Sequence, residues 1–184
     1  MNMPELEKDL AGVLIGEEEI KRKVEELGRQ ISADYKGKKV LVISILKGAF
    51  VFMSDLVRNL DLDVEIDFMV VSSYGSGTES TNSLNIRLDL SRPIDGCDVL
   101  IAEDVLDSGN TLSKVKNMLL QRKPASLRIA TLLDKPSRRV TPIDIDYCGF
   151  MIPDEFVVGY GLDYAEKYRN LPYIGILDRK VYEK

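Results

Sequence analysis

Two adjacent carboxylates, Glu103 and Asp104, follow the apolar run Val99-Leu100-Ile101-Ala102. A third, Asp107, comes three residues later, and Ser108-Gly109-Asn110-Thr111 then opens an amphipathic segment carrying Leu112, Val115 and Leu119. Backbone N–H groups at a helix start lack intrahelical partners, Gly109 permits close approach, and Ser108 and Thr111 add hydroxyl donors, so this turn suits a phosphate. Carboxylates beside a phosphate need another reason. They accept hydrogen bonds from a vicinal diol and hold Mg2+ directly or through water. Phosphate, diol and magnesium together describe a ribose 5-phosphate derivative. The plainer alternative makes Asp107 or Ser108 the N-cap of the helix and leaves Glu103 and Asp104 on a solvated strand end.

The elements that must position this array are legible from periodicity. Ile20, Val24, Leu27 and Ile31 recur at helical spacing behind Glu17-Glu18-Glu19, which suits the positive end of a helix dipole. Residues 40–46 form a β-branched run expected of a strand covered on both faces, and a helix carrying Phe52, Met53, Leu56 and Leu60 follows. Val64, Ile66 and Phe68 alternate with Glu65 and Asp67 in a strand leading to Ser72-Ser73-Tyr74, after which the small polar residues 75–83 predict a mobile loop. Further strands are expected near 84–90, at 99–102 and at 128–133. Strands alternating with helices imply βαβ units and a mainly parallel, twisted sheet flanked by helices, an α/β fold in which ligands bind beyond the carboxyl ends of the strands. The last forty residues, with Pro142, Pro153 and Pro172, read as short strands and turns able to form a lid or hood.

Composition narrows the chemistry. The 184 residues suit one globular domain. With no His, acid–base work falls to Asp, Glu, Lys, Tyr or Cys, which excludes the usual catalytic triads and zinc sites. A net charge of −5, from 25 basic and 30 acidic side chains, argues against nonspecific nucleic-acid binding. Cys97 and Cys148, isolated in sequence, are expected as buried free thiols in a reducing compartment. The N-terminal residues have neither a basic nor an apolar targeting region, and the longest apolar stretch, 40–53, is interrupted by Ser44, Lys47 and Gly48, so a cytoplasmic protein without membrane contact is expected.

The segment from Glu103 to Thr111 closely resembles the phosphoribosyl-pyrophosphate (PRPP) motif of the purine phosphoribosyltransferases. Leu46-Lys47-Gly48-Ala49-Phe50, Ser72-Ser73-Tyr74-Gly75, Leu132-Leu133-Asp134-Lys135-Pro136, the run from Ile152 to Tyr164, and Tyr168-Arg169-Asn170-Leu171 resemble the hypoxanthine(-guanine) branch, in the same order. The resemblance runs from about residue 12 onward. It implies the type I phosphoribosyltransferase fold as a single domain over 1–184, with a hood from about 1–20 and 150–184, and a homodimer or homotetramer.

It also implies Mg2+-dependent transfer of 5-phosphoribosyl from PRPP to N9 of a 6-oxopurine in purine salvage. By the same resemblance, Glu103 and Asp104 bind the ribose hydroxyls and the associated Mg2+, while Leu106, Asp107, Ser108, Gly109, Asn110 and Thr111 wrap the 5-phosphate. Asp107 serves purine N7. Lys47 and Gly48, after a non-proline cis peptide at Leu46-Lys47, receive pyrophosphate with Arg169. Lys135 donates to purine O6, Phe156 stacks on the base, Val157 offers backbone groups to its edge, and Asp163 serves a second Mg2+ and the purine 2-position. Ser73, Tyr74 and Gly75 belong to a lid that excludes water from an oxocarbenium-like transition state. A cation at Lys135 favours a 6-oxo acceptor over adenine, whose amino group would meet another donor.

One departure is Asn110, which stands where some relatives carry Lys and leaves the phosphate turn one positive charge fewer. Two rivals come from other classes. A regulator with this fold would sense PRPP or nucleotide without chemistry; a receiver-type domain would use Asp104 as a phosphoacceptor, but would also need an early acidic pair where this chain has Leu46-Lys47-Gly48.

Overall fold

The computed structural model describes residues 3–73 and 84–183. In chain order the elements are α1 (Met3–Glu7), β1 (Leu10–Ile15), α2 (Glu17–Asp34), β2 (Lys39–Ile45), α3 (Phe50–Arg58), β3 (Asp63–Ser73), β4 (Leu84–Leu88), β5 (Asp98–Leu106), α4 (Asn110–Leu120), β6 (Ser126–Asp134), a 3-10 turn (Pro136–Arg138), β7 (Tyr147–Met151), β8 (Val157–Val158), β9 (Ile174–Leu177) and α5 (Arg179–Tyr182). Six strands form one sheet in the order β4-β3-β2-β5-β6-β7, parallel except for the antiparallel edge strand β4.

Period-two alternation in the strands sends side chains to two separate cores. Val40 and Val42 of β2 join Leu100 and Ala102 of β5 under the apolar stripes of α2 (Ile20, Val24, Leu27, Ile31) and α3 (Phe52, Met53, Leu56). Leu41 and Ile43 join Val99, Ile101 and Ile129 on the opposite face, under Leu112, Val115 and Leu119 of α4. Both faces of β2 are therefore covered, as its continuous β-branched run required.

The two ends of the described chain meet in a second sheet, β1-β9-β8, antiparallel throughout. It is backed by a cluster of Leu6, Val158, Tyr168, Leu171 and Leu177. The segment leading into it reaches the main sheet at Gly161, whose φ of +100° and missing Cβ let its backbone lie against the Gly48 carbonyl.

Several boundaries differ from expectation. Strand β5 continues past Ala102 because Glu103, Val105 and Leu106 stay paired with Thr131, Leu133 and Asp134, so Glu103 and Asp104 lie inside the strand. Carboxylates are disfavoured in strands, which hid this extension. Helix α3 stops at Arg58, leaving Leu60 beyond its end but still packed on the core. β4 ends at Leu88, short of Leu90. Cys97 and Cys148 are half-buried free thiols, not buried ones. Among the described residues no helix is long and apolar enough to cross a membrane. Tyr74 and Gly75 of the expected lid, with the rest of 74–83, lie outside the described residues; Ser73 ends β3.

Candidate active site

Strand β5 delivers Asp107 to the carboxyl end of the sheet, and α4 begins three residues later at Asn110. The N-cap is Gly109, left-handed at φ 80°, which has no side chain to cap the helix. Asp107 takes no part in capping, but the Ser108 hydroxyl accepts from the Asn110 N–H at 3.4 Å, so part of the capping role that the plainer sequence reading assigned falls to Ser108. Gly109 is also sterically required, since a Cβ there would stand 2.5 Å from the Thr141 carbonyl oxygen. The chain from 138 to 141 holds the turn from outside. Val140 and Thr141 N–H groups donate to the Ser108 carbonyl at 2.9 and 3.0 Å, and the Thr141 hydroxyl donates to Asn110 Oδ1 at 2.5 Å. The uncharged Asn110 side chain is thus engaged by its neighbour.

Upstream, the two carboxylates of β5 are half-buried, with one oxygen of Glu103 fully covered. Burial first, and then the charge of Asp104, raise the Glu103 carboxyl well above the usual range, and its Oε2 has no hydrogen-bond partner. Burial likewise pushes Asp104 up to about 6, opposed by the Val105 N–H that donates to its Oδ1 at 2.8 Å. Gly48 presses on the other oxygen, and the peptide joining Leu46 to Lys47 is cis.

Lys47 reaches outward to Glu166 at 3.0 Å. Arg169 is largely covered: it donates to the Gly161 carbonyl at 2.8 Å and pairs with Asp163 at 2.8 Å and Glu166 at 3.3 Å, while its Nε is buried without a partner. Glu166, absent from the sequence reading, therefore bridges both expected pyrophosphate contacts. Lys47, then Arg169, holds its carboxyl below the ordinary range.

A cavity of about 490 Å³ joins Val105, Asp107, Lys135, Phe156, Val157 and Asp163. Lys135 is only 8% exposed and donates to the Glu155 carbonyl at 2.7 Å, which leaves two of its ammonium protons for a ligand. Phe156 is 37% exposed, so it is not the ordinary core aromatic that base rates favour. Its ring meets Tyr164 edge-on at 5.6 Å and stacks on Tyr182 at 5.0 Å. Arg138 and Tyr182 line the same cavity and were not singled out from sequence, where an arginine after a Lys-Pro turn and a lone tyrosine carry no specific signal. A larger cavity, about 640 Å³, lies between α2, α3 and residues 160–172; it shares Arg169 but holds none of Glu103, Asp104, Asp107 and Lys135.

The donor set bears on metal binding. Among the described residues no three acidic or thiol side chains gather into a metal cage, and Glu103, Asp104 and Asp163 do not form one. Asp163 is already committed, one oxygen to Arg169 and the other to the Glu166 N–H at 2.9 Å. An orphaned buried carboxylate beside a second one fits Mg2+, which prefers one or two carboxylates plus substrate oxygens to an all-protein cage.

The sequence model of the phosphoribosyl transferase domain matches residues 15–165. The chain is 54% identical over 170 residues to the hypoxanthine phosphoribosyltransferase of Escherichia coli, covering 91% of this chain and 96% of that one. The crystal structure of a hypoxanthine phosphoribosyltransferase from Staphylococcus aureus superposes with a TM-score of 0.95 at 52% identity, covering 100% of both chains. This chain is also 51% identical over 179 residues to the bifunctional protein TilS/HprT of Listeria innocua, covering 97% of this chain but 28% of that protein's length.

Proposed function

The chain belongs to the phosphoribosyltransferase family, and from that membership we propose that it is a hypoxanthine(-guanine) phosphoribosyltransferase of purine salvage. It transfers 5-phosphoribosyl from PRPP to N9 of hypoxanthine or guanine, giving IMP or GMP and pyrophosphate. The observation that carries this reading is the convergence of Asp107, Lys135 and the exposed Phe156 ring on one cavity beside the 107–111 turn.

The N–H groups of that turn and the Ser108 and Thr111 hydroxyls bind the 5-phosphate. Glu103 and Asp104 accept from the ribose hydroxyls and would hold Mg2+, which would supply positive charge against the departing pyrophosphate. Lys47 and Arg169 bind the same leaving group once they exchange Glu166 for it. Phe156 orients the purine by stacking, and Val157 meets its edge from the first position of β8. Asp107 holds the N7 proton as charge leaves the base, and Lys135 donates to O6. Asp163 acts here by orienting Arg169 and serves the purine 2-position. The small sheet acts as the hood, and the segment through Ser73, Tyr74 and Gly75 as the lid that excludes water. We place the enzyme in the cytoplasm as a homodimer or homotetramer.

The test is nucleotide formation from PRPP and Mg2+ with hypoxanthine, guanine, xanthine and adenine in parallel, with pyrophosphate release as a second readout. Rapid use of hypoxanthine or guanine is expected, with adenine poorer by roughly 10⁴ if the Lys135 contact is fully mispaired. Binding of PRPP without turnover of any base would move the assignment to a regulator.

A further inference from the structure

We infer that Arg138 is a positioning residue, which holds one carboxylate oxygen of Asp107 so that the other is presented to the purine. The inference rests on the proposed role of Asp107. Arg138 stands at the end of the 3-10 turn that follows Lys135, and its Nε lies 3.1 Å from Asp107 Oδ1 and 3.6 Å from Asp154 Oδ1. All three residues line the cavity of Lys135 and Phe156.

The main chain around Asp107 is held by other groups. Lys135 N–H donates to the Leu106 carbonyl at 3.0 Å, and Arg139 Nη1 to the Asp107 carbonyl at 3.1 Å. The carboxylate itself is 41% exposed, and among the described residues Arg138 is its only partner. A carboxylate's terminal torsion is broad, so an unpartnered one would sample many orientations. Arg138 Nε and the two residues it bridges restrict that torsion, committing Oδ1 and leaving Oδ2 for the base. Proton transfer in a catalytic step depends on such alignment, and small misplacements reduce rate steeply. Consecutive arginines thus grip one residue twice, Arg139 by its carbonyl and Arg138 by its side chain.

An exposed ion pair adds little to stability, so substitution at 138 tests position and not folding. Steady-state kinetics with hypoxanthine and PRPP would compare the parent, R138M, R138K, D107N and the double variant R138M/D107N. The expected result is a loss in kcat of about tenfold for R138M, with the PRPP KM and the thermal midpoint unchanged. R138K, which keeps a donor, recovers most of that loss. In the D107N background R138M removes nothing further, because its effect passes through Asp107. Unchanged kcat in R138M, or the same proportional loss with and without Asp107, overturns the inference while leaving Asp107 in place. Full kcat in D107N overturns the underlying role of Asp107 itself.

Discussion

Gly48 and Asp104 are in such close contact that a Cβ at position 48 would fall on the Asp104 carboxylate. The loop after β2 and the middle of β5 can be neighbours in this way only because position 48 carries no side chain, and the contact fixes where the second carboxylate of the site points. Gly48→Ala is therefore expected to fold, since α3 and its buried face begin beyond it, yet to turn Asp104 away from its ligand. The Mg2+ concentration giving half-maximal activity should rise by roughly 10–100-fold, the usual cost of disturbing a metal site's supporting contacts. A magnesium dependence identical to the parent's would show that Asp104 tolerates the shift.

In the proposed function Asp107 is the proton acceptor at purine N7. Asp107→Asn keeps size and loses charge, so PRPP binding should persist while kcat falls by roughly 10²-fold or more. Isothermal titration with PRPP and a turnover assay together separate the two effects, and unchanged turnover removes the residue from the chemistry.

The buried carboxylates set a pH dependence of stability. Asp104 is raised by burial to about 6, against about 3.9 in an unfolded chain. Between those values the folded protein holds a proton that the unfolded chain has released. The associated stabilisation is complete below about pH 4 and is lost as pH rises through about 6. Without Mg2+, this contribution should lower the thermal midpoint from about pH 5 to pH 7, added Mg2+ should restore it at the upper end, and Asp104→Asn should lessen the change while Glu103, also raised by burial, keeps its share. An equally steep decline in the Asn variant would assign it to other groups.

In the proposed function Lys135 carries the discrimination between oxo and amino purines. Lys135→Met fills similar space without donors, and it frees the Glu155 carbonyl that Lys135 now satisfies. Turnover of hypoxanthine should drop while adenine use stays low, so the ratio of their kcat/KM values narrows by about 10²-fold or more. Were the ratio unchanged, selectivity would have to come from the backbone around Val157 instead.

Much of the fold was legible in the chain. The helical stripe Ile20-Val24-Leu27-Ile31 and the run 40–45 encode their burial directly, because a helix face and a doubly covered strand demand those periods. The alternation 64–68 marked β3 correctly, although Ile66 is 54% exposed there; apolar periodicity marks a strand's side without saying what covers it. The length of β5 was not legible, since its last residues are held by pairing with β6 and not by their own propensity.

By itself, the sequence determined the order of strands and helices from α2 to β6, the absence of imidazole chemistry, and the 103–111 array with the resemblance that gives it meaning. Only the tertiary structure decided how that array is surrounded. It placed Glu166 between Lys47 and Arg169, brought Arg138 onto Asp107 from 31 residues away, and buried Glu103 with an oxygen left unpaired. The physical reason is range. Periodicity and turn chemistry act over a few residues, whereas burial and ion pairing depend on which loops the sheet brings together at its carboxyl edge.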